Sequence, residues 1–73
     1  MKIQNKLIRI RSVLDLTGIS KSYLYQLVSR GDFPRPVQLV KGGKSVAWIE
    51  SEVHSWVESR IQDRDDSLMS MAI

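Results

Sequence analysis

Residues 12–31 have the sequence SVLDLTGISKSYLYQLVSRG, a pattern typical of two short helices joined by a tight turn. Gly18 can adopt a positive φ angle without steric penalty, so it can end the first helix. Ser20 stands where an N-cap residue would start the second helix, and Gly31 stands where a C′ glycine would end it. Two short helices with a glycine-containing turn between them predict a helix-turn-helix.

The second predicted helix has an apolar side and a polar side. Leu24, Leu27 and Val28 recur at helical spacing and predict the side that packs on the core. The other side carries hydroxyls, an amide and cations but no carboxylate, which is the chemistry that DNA phosphates and base edges require. The alternative is a solvated face on an ordinary packing unit. We predict that this helix and its N-cap contact DNA through Ser20, Lys21, Ser22, Tyr23, Gln26 and Arg30.

The segment after Gly31 has the pattern of a connector followed by a β-hairpin. Two prolines exclude a helix from residues 32–36, and Phe33 is the predicted core anchor within them. Residues 37–40 and 45–49 are the predicted strands, with a Gly-Gly tip between them. Leu39, Val46 and Trp48 are predicted to line the face that rests on the helices.

A hairpin that follows a helix-turn-helix is a wing, and its tip can reach the phosphates beside the groove. Lysines flank the two glycines of this tip, and glycine lets a backbone approach DNA closely. The alternative is a turn whose lysines serve solubility alone. The wing and flank residues predicted to contact DNA are Arg35, Lys41, Gly42, Gly43, Lys44 and Ser45.

Residues 50–61 predict a third helix, because carboxylates fill its first turn and Val53, Trp56 and Val57 form one apolar stripe. Trp56 is the predicted core residue of this helix, and His54 is predicted to be partly exposed. Residues 7–10 alternate weakly enough to allow only a very short strand. We predict a flexible basic N-terminus over 1–6, one domain over 7–61 and a flexible tail over 62–73.

Basic and acidic residues are unevenly distributed along the 73-residue chain, whose net charge is +3. Residues 1–48 carry nine Lys and Arg against two Asp, a net charge of +7, and residues 49–73 carry two Arg against six carboxylates, a net charge of −4. A basic body with an acidic end indicates one side that faces a polyanion and one that faces away. A solvated charged surface is the alternative.

Composition also limits the function classes. The chain has no cysteine and one histidine, so we predict no disulfide, no metal site and no cofactor. No catalytic constellation is visible, which argues against an enzyme and against a small-molecule substrate. No apolar run approaches the ~20 residues that span a membrane. The absence of cysteine suits a protein of a reducing cytoplasm.

Three runs of sequence together resemble a known family. They are TGISKSYLY at 17–25, GDFPRP at 31–36 and AWIESEV at 47–53. This combination resembles the AlpA family of small prophage and genomic-island regulators, which belong with winged-helix excisionases and MerR-type DNA-binding domains. The resemblance implies a mainly α fold with a small β-hairpin, a winged helix-turn-helix with three helices plus a wing. It also implies that Tyr25, an aromatic position of the family pattern, packs inward.

The resemblance and the residues together predict a sequence-specific DNA-binding protein of a prophage or genomic island. The resemblance also implies that the protein is found in the bacterial cytoplasm, associated with the nucleoid. It would act as a transcriptional regulator, as an excisionase, or as both. The expected partners are double-stranded DNA, an integrase, and neighbouring copies that bind DNA cooperatively through acidic and basic patches. The alternative is an adaptor that binds an integrase or polymerase subunit and touches DNA only incidentally.

Overall fold

The computed structural model describes residues 5–71, with side-chain burial through residue 69. Three helices and a small antiparallel sheet make up the fold, so the predicted mainly α class is confirmed, and the arrangement is that of a winged helix. In chain order the elements are β1 (Leu7–Ile8), α1 (Ile10–Thr17), α2 (Lys21–Arg30), β2 (Val37–Gln38), β3 (Val46–Ile49) and α3 (Glu50–Met71).

Local rules set the ends of the first two helices as predicted. Gly18 has φ +73° and donates its N–H to the Leu14 carbonyl at 2.7 Å, which ends α1. The Ser20 hydroxyl accepts the N–H of Tyr23 at 3.2 Å and caps the start of α2. Gly31 has φ +80° and ends α2 in a Schellman arrangement, with the next amide donating back to the Leu27 carbonyl at 2.8 Å. The predicted helix-turn-helix is confirmed.

The sheet has three strands because β1 joins the hairpin. β3 is central and pairs antiparallel with both neighbours, with Ile8 opposite Trp48 and Val37 opposite Ala47. The strand allowed by the sequence over residues 7–10 ends at Ile8, because the chain turns at Arg9 and enters α1 at Ile10. The sheet therefore links the N-terminal segment to the wing.

One hydrophobic core joins all three helices and the sheet. Trp48 at its centre is fully buried, and its indole Nε1 donates to the Pro34 carbonyl at 3.0 Å. The buried indole N–H therefore has a hydrogen-bond partner. The predicted anchor Phe33 is buried as well. The core cluster comprises Ile8, Val13, Leu24, Leu27, Phe33, Trp48 and Val53.

The wing is shorter than the sequence predicted. β2 ends at Gln38, and a turn begins at Val40, whose carbonyl accepts the N–H of Gly43 at 2.8 Å. Because Leu39 lies between the strand and the turn, the core does not cover it, and 41% of the residue is exposed. The prediction that Leu39 lines the inner face is wrong, whereas that of Val46 and Trp48 is confirmed.

The third helix is longer than predicted. Its first turns match the predicted stripe, with Val53 buried and His54 exposed. The predicted end at residue 61 is wrong, because no glycine or proline interrupts the chain before Met71 and a Gln62–Asp66 hydrogen bond of 3.0 Å supports the extension. The division into a flexible N-terminus over 1–6, a domain over 7–61 and a flexible tail over 62–73 stays a prediction. Residues 1–4 and 72–73 lie outside the described residues.

Candidate nucleic-acid interface

The exposed side of α2 presents a polar face made of Ser22, Gln26 and Ser29. These residues are spaced by four and three, so they lie along one line of the helix, opposite the buried Leu24. Their line is the centre of the surface that α2 offers to solvent. All six residues that the sequence predicted on this helix and its cap are exposed: Ser20, Lys21, Ser22, Tyr23, Gln26 and Arg30.

Gln26 is the residue of the polar face with the most hydrogen-bonding capacity left. Within residues 5–71 its carboxamide makes no hydrogen bond, so its donor and acceptor both remain available. Ser29 differs, because its hydroxyl donates to the Gln26 backbone carbonyl at 2.9 Å. The face therefore centres on one free amide group with a hydroxyl on either side.

The two ends of α2 have different chemistry. At the N-terminus, Lys21 stands beside backbone amides that have no intrahelical partner, an arrangement that attracts anions. At the C-terminus, Arg30 pairs with Asp32 through Nε and Oδ2 at 3.2 Å. Both of these side chains are 58% exposed, so water screens the pair and Arg30 can leave it readily. About 13 Å of helix separates the two cations.

The wing tip places two lysines around a tight turn. Lys41 and Gly42 occupy the central positions of the turn, and Gly42 has φ +77°. Lys44 and Ser45 follow and are exposed. Gly43 is half-buried, with its amide bonded to Val40 and its carbonyl accepting from the Gln38 side chain at 3.1 Å. The backbone of Gly43 is therefore engaged within the hairpin.

Arg35 lies away from the wing tip. It precedes β2, so it stands at the base of the wing, beside a shallow groove that Val37, Ile49 and Glu52 also line. The structure thus brings the lysines of the tip together and leaves Arg35 at the opposite end of the hairpin.

Tyr25 corrects an inference drawn from the resemblance. It was expected to pack inward, yet 43% of the residue is exposed. Its ring lies against that of Trp48 with centroids 6.5 Å apart and planes tilted by 57°. Helical spacing alone predicts this exposure, because Tyr25 lies about 100° around the helix from the buried Leu24, on the side away from Leu27. Tyr25 therefore joins the candidate interface.

The charged residues of α2 and the wing are mostly cations, whereas those of α3 are mostly carboxylates, some of which are paired. Between residues 16 and 49, five cations stand against the single carboxylate of Asp32. On α3, Arg60 pairs with Asp63 and Arg64 pairs with Asp65, and Glu50 lies 3.9 Å from the Lys6 ammonium. The positive potential is thus concentrated on the helix-turn-helix and the wing.

The fold and this surface define a small winged helix module with a cationic, hydrogen-bonding face. The sequence model of the family described as prophage CP4-57 regulatory protein (AlpA) matches residues 6–61, and the chain belongs to this family. The predicted resemblance is therefore confirmed. The family is a regulatory one and not a class of enzymes. None of the helices within residues 5–71 is long and apolar enough to cross a membrane.

Two relatives show the range of the similarity. The chain is 44% identical over 61 residues to protein ORF88 of Enterobacteria phage P4, an alignment that covers 84% of this chain and 67% of that protein. It is 30% identical over 59 residues to the DNA-binding transcriptional activator AlpA of Escherichia coli strain K12. This second alignment covers 75% of this chain and 84% of that protein.

Proposed function

We propose that this protein is a sequence-specific double-stranded DNA-binding regulator of a prophage or genomic island. The observation that carries the proposal is the exposed side of α2, where Gln26 has a free carboxamide and no carboxylate interrupts the surface. A membrane or small-molecule function has no comparable support in the described residues. The Escherichia coli relative is named as a DNA-binding transcriptional activator, which supports the same assignment.

In the proposed complex α2 lies in the major groove. A ten-residue helix is about 15 Å long and fits a groove about 12 Å wide with its polar face toward the base edges. Gln26 can accept from and donate to one adenine in two hydrogen bonds. Tyr23 adds an exposed ring that can contact a thymine methyl group, and Ser22 adds a hydroxyl.

The remaining residues position the protein on the DNA backbone. Lys21, together with the N-terminal amides of α2, suits a phosphate at the edge of the groove. Lys41 and Lys44 at the wing tip provide point charges that carry no base pattern, so they suit phosphates as well. The other predicted contacts, which stay predictions, are Ser20, Arg30, Arg35, Gly42, Gly43 and Ser45.

Two modes of action use this same surface. As a transcriptional regulator the protein would occupy a promoter, and as an excisionase it would occupy an attachment site and guide an integrase. The adaptor hypothesis uses a different surface, since it places the partner on the wing and α3. The exposed polar face of α2 favours DNA over the adaptor, because a protein partner on α3 leaves that face unexplained.

Occupancy of DNA by one such module calls for neighbouring copies. A single module of this size buries only about 600–1,000 Å² on DNA, which gives a weak complex. Acidic side chains on α3 of one copy, such as Glu52 and Glu58, can approach the basic helix-turn-helix of the next. A head-to-tail contact of this kind does not close on itself, so copies would form a row along the duplex.

The experiment that tests the proposal starts from a library of random duplexes. Rounds of selection with the purified protein should enrich one motif, and the recovered duplex should bind about 1,000-fold more tightly than a random duplex at the same salt concentration. Equal affinity for recovered and random duplexes would contradict sequence-specific binding. A protein that binds no duplex but retains an integrase or polymerase subunit would establish the adaptor function instead.

A further inference from the structure

We propose that Tyr25 is a DNA-positioning residue that donates its hydroxyl to a phosphate between the groove bound by α2 and the wing. This inference rests on the proposed function and adds a contact that the charged residues do not explain. It starts from an unusual combination in Tyr25, a half-exposed ring whose inner side is held by a fully buried tryptophan.

The support under the ring is rigid. Trp48 belongs to the central strand β3, is fully buried, and is fixed by the hydrogen bond from its Nε1 to the Pro34 carbonyl at 3.0 Å. The Tyr25 ring packs against this indole at a tilt of 57°, with centroids 6.5 Å apart. A side chain held in this way has lost rotamer freedom before DNA arrives, so a contact that it makes requires less ordering on binding.

The hydroxyl of Tyr25 is available for a contact. In the part of the chain that the structure describes, the Tyr25 hydroxyl neither donates nor accepts a hydrogen bond. A phenol on a surface seeks a polar partner at its hydroxyl end while its ring stays on apolar groups. The ring contact with Trp48 satisfies only the apolar part.

The position of Tyr25 points to the DNA backbone and not to the bases. It lies three residues after Ser22 and four before Ser29, so it borders the polar face on the side that meets β3 and the wing. A helix in the major groove and a hairpin beside it straddle one strand of phosphates. Tyr25 occupies the junction between these two elements, where that strand passes.

The test compares Tyr25→Phe with the parent protein on the selected duplex and on a random duplex. The variant keeps the ring on Trp48, so its melting temperature should match the parent. We expect about ten-fold weaker binding to both duplexes, since a hydrogen bond to a charged oxygen is lost. The salt dependence should not change, because a phenol displaces no counterion.

Ser67→Ala is the control for the loss of an exposed hydroxyl. Ser67 lies on α3, where no DNA contact is proposed, and its side chain is exposed. This variant should bind both duplexes within about two-fold of the parent. An equal loss of affinity in both variants would overturn the contact proposed for the Tyr25 hydroxyl.

A second measurement locates the phosphate. Each phosphate of the selected duplex is replaced in turn by a neutral methylphosphonate, and both proteins are titrated on every duplex. At one position the ten-fold difference between parent and Tyr25→Phe should shrink, because the neutral methylphosphonate has lost the negative charge and one of the two oxygens that can accept the hydrogen bond. A difference that persists at every position would overturn the contact.

The remaining outcomes are also decisive. Unchanged affinity in Tyr25→Phe would assign the residue to packing alone, and a loss confined to the selected duplex would assign it to base recognition; either result overturns this inference while the proposed function stands. A lowered melting temperature would show that the hydroxyl bonds within the domain and overturns it as well. A parent protein that binds no duplex overturns the proposed function and this inference together.

Discussion

Trp56 of α3 donates its indole N–H to the backbone carbonyl of Asp32 at 2.8 Å. The same indole meets the buried Phe33 ring edge-on, with centroids 4.8 Å apart. Asp32 directly follows the glycine that ends α2, so this pair of contacts connects the third helix to the C-terminal end of α2. Trp56, predicted as the core residue of α3, is partly buried and packs against the core cluster.

Removal of this indole should therefore loosen the domain. Trp56→Ala should lower the free energy of unfolding by about 3 kcal/mol, the lower end of the range for a large aromatic, because the residue is partly exposed. Trp56→Phe keeps an aromatic ring but lacks the indole N–H, so its free energy of unfolding should lie only about 1 kcal/mol below that of the parent. Urea unfolding measures both, with the exposed His54→Ala as the control. Overlapping curves for Trp56→Ala and the parent would show that the Asp32 contact contributes nothing.

Gly31 should be sensitive to substitution for a backbone reason alone. Its φ of +80° is unfavourable for any residue with a Cβ, while the space around that Cβ is open. Gly31→Ala should therefore lower the free energy of unfolding by about 1 kcal/mol through strain without a clash. Ser29→Ala, two residues earlier in the same helix, should change it by less than about 0.5 kcal/mol. Similar melting temperatures for the two variants would argue against the Schellman ending of α2.

The parts of the fold that local rules control were predictable from the sequence. A glycine with positive φ and a serine cap act within a few residues, so Gly18, Ser20 and Gly31 marked the helix ends correctly. The pairing of β1 with β3 was not visible, because its two residues lie about forty positions from their partners and carry no local signal. The shorter wing was not visible either, because the sequence does not show that β2 ends at Gln38 and that the turn begins at Val40.

In the candidate site, too, some features could be predicted from the sequence and others could not. The exposure of Gln26 followed from helical spacing, and so did the burial of Leu24. The position of Tyr25 also follows from that spacing, but the family pattern led to the opposite expectation. The extent of α3 was missed because a charged run was taken as a tail, although its charges pair at helical spacing, as Arg60 does with Asp63. At both places helical spacing decides the position of the side chains.

Salt dependence should report the number of phosphate contacts. Four to six contacts from the cations of residues 1–48 predict that log affinity falls with log salt at a slope of about −4 to −5. Mobility-shift titrations between about 50 and 200 mM salt measure the slope. Arg64→Ala is the control, because Arg64 lies on α3 and already pairs with Asp65; its slope should equal that of the parent. A slope near zero is incompatible with phosphate binding.

Cooperative binding should depend on acidic residues of α3. On a duplex with two adjacent sites, the second copy should bind more tightly than the first, by about five-fold or more. Reversal of Glu52 and Glu58 to Lys should remove this difference, because both are exposed carboxylates of the proposed head-to-tail contact. A single-site duplex is the control, since added positive charge strengthens the binding of each copy by itself. Independent filling of the two sites by the parent protein would exclude the row of copies.

Loss of a base contact and loss of a phosphate contact should change DNA affinity in different ways. Gln26→Ala removes the free carboxamide of the polar face and should weaken binding to the selected duplex by about 1–3 kcal/mol, with much less effect on random DNA. Lys44→Ala removes one charge from the wing tip and should weaken both duplexes nearly equally, while the salt slope falls by about one. Each variant thus serves as the control for the other.

The comparison needs isotherms of both variants on both duplexes at two salt concentrations. The ratio of the two affinities reports base recognition, and the change of that ratio with salt should be small because the phosphate contacts are shared. The outcome depends on which element reaches the bases: α2 carries Gln26 with two hydrogen-bonding groups, whereas Lys44 offers only donors on a flexible stem. If Lys44→Ala abolishes the preference for the selected duplex and Gln26→Ala preserves it, the wing recognises the sequence and α2 serves to position it.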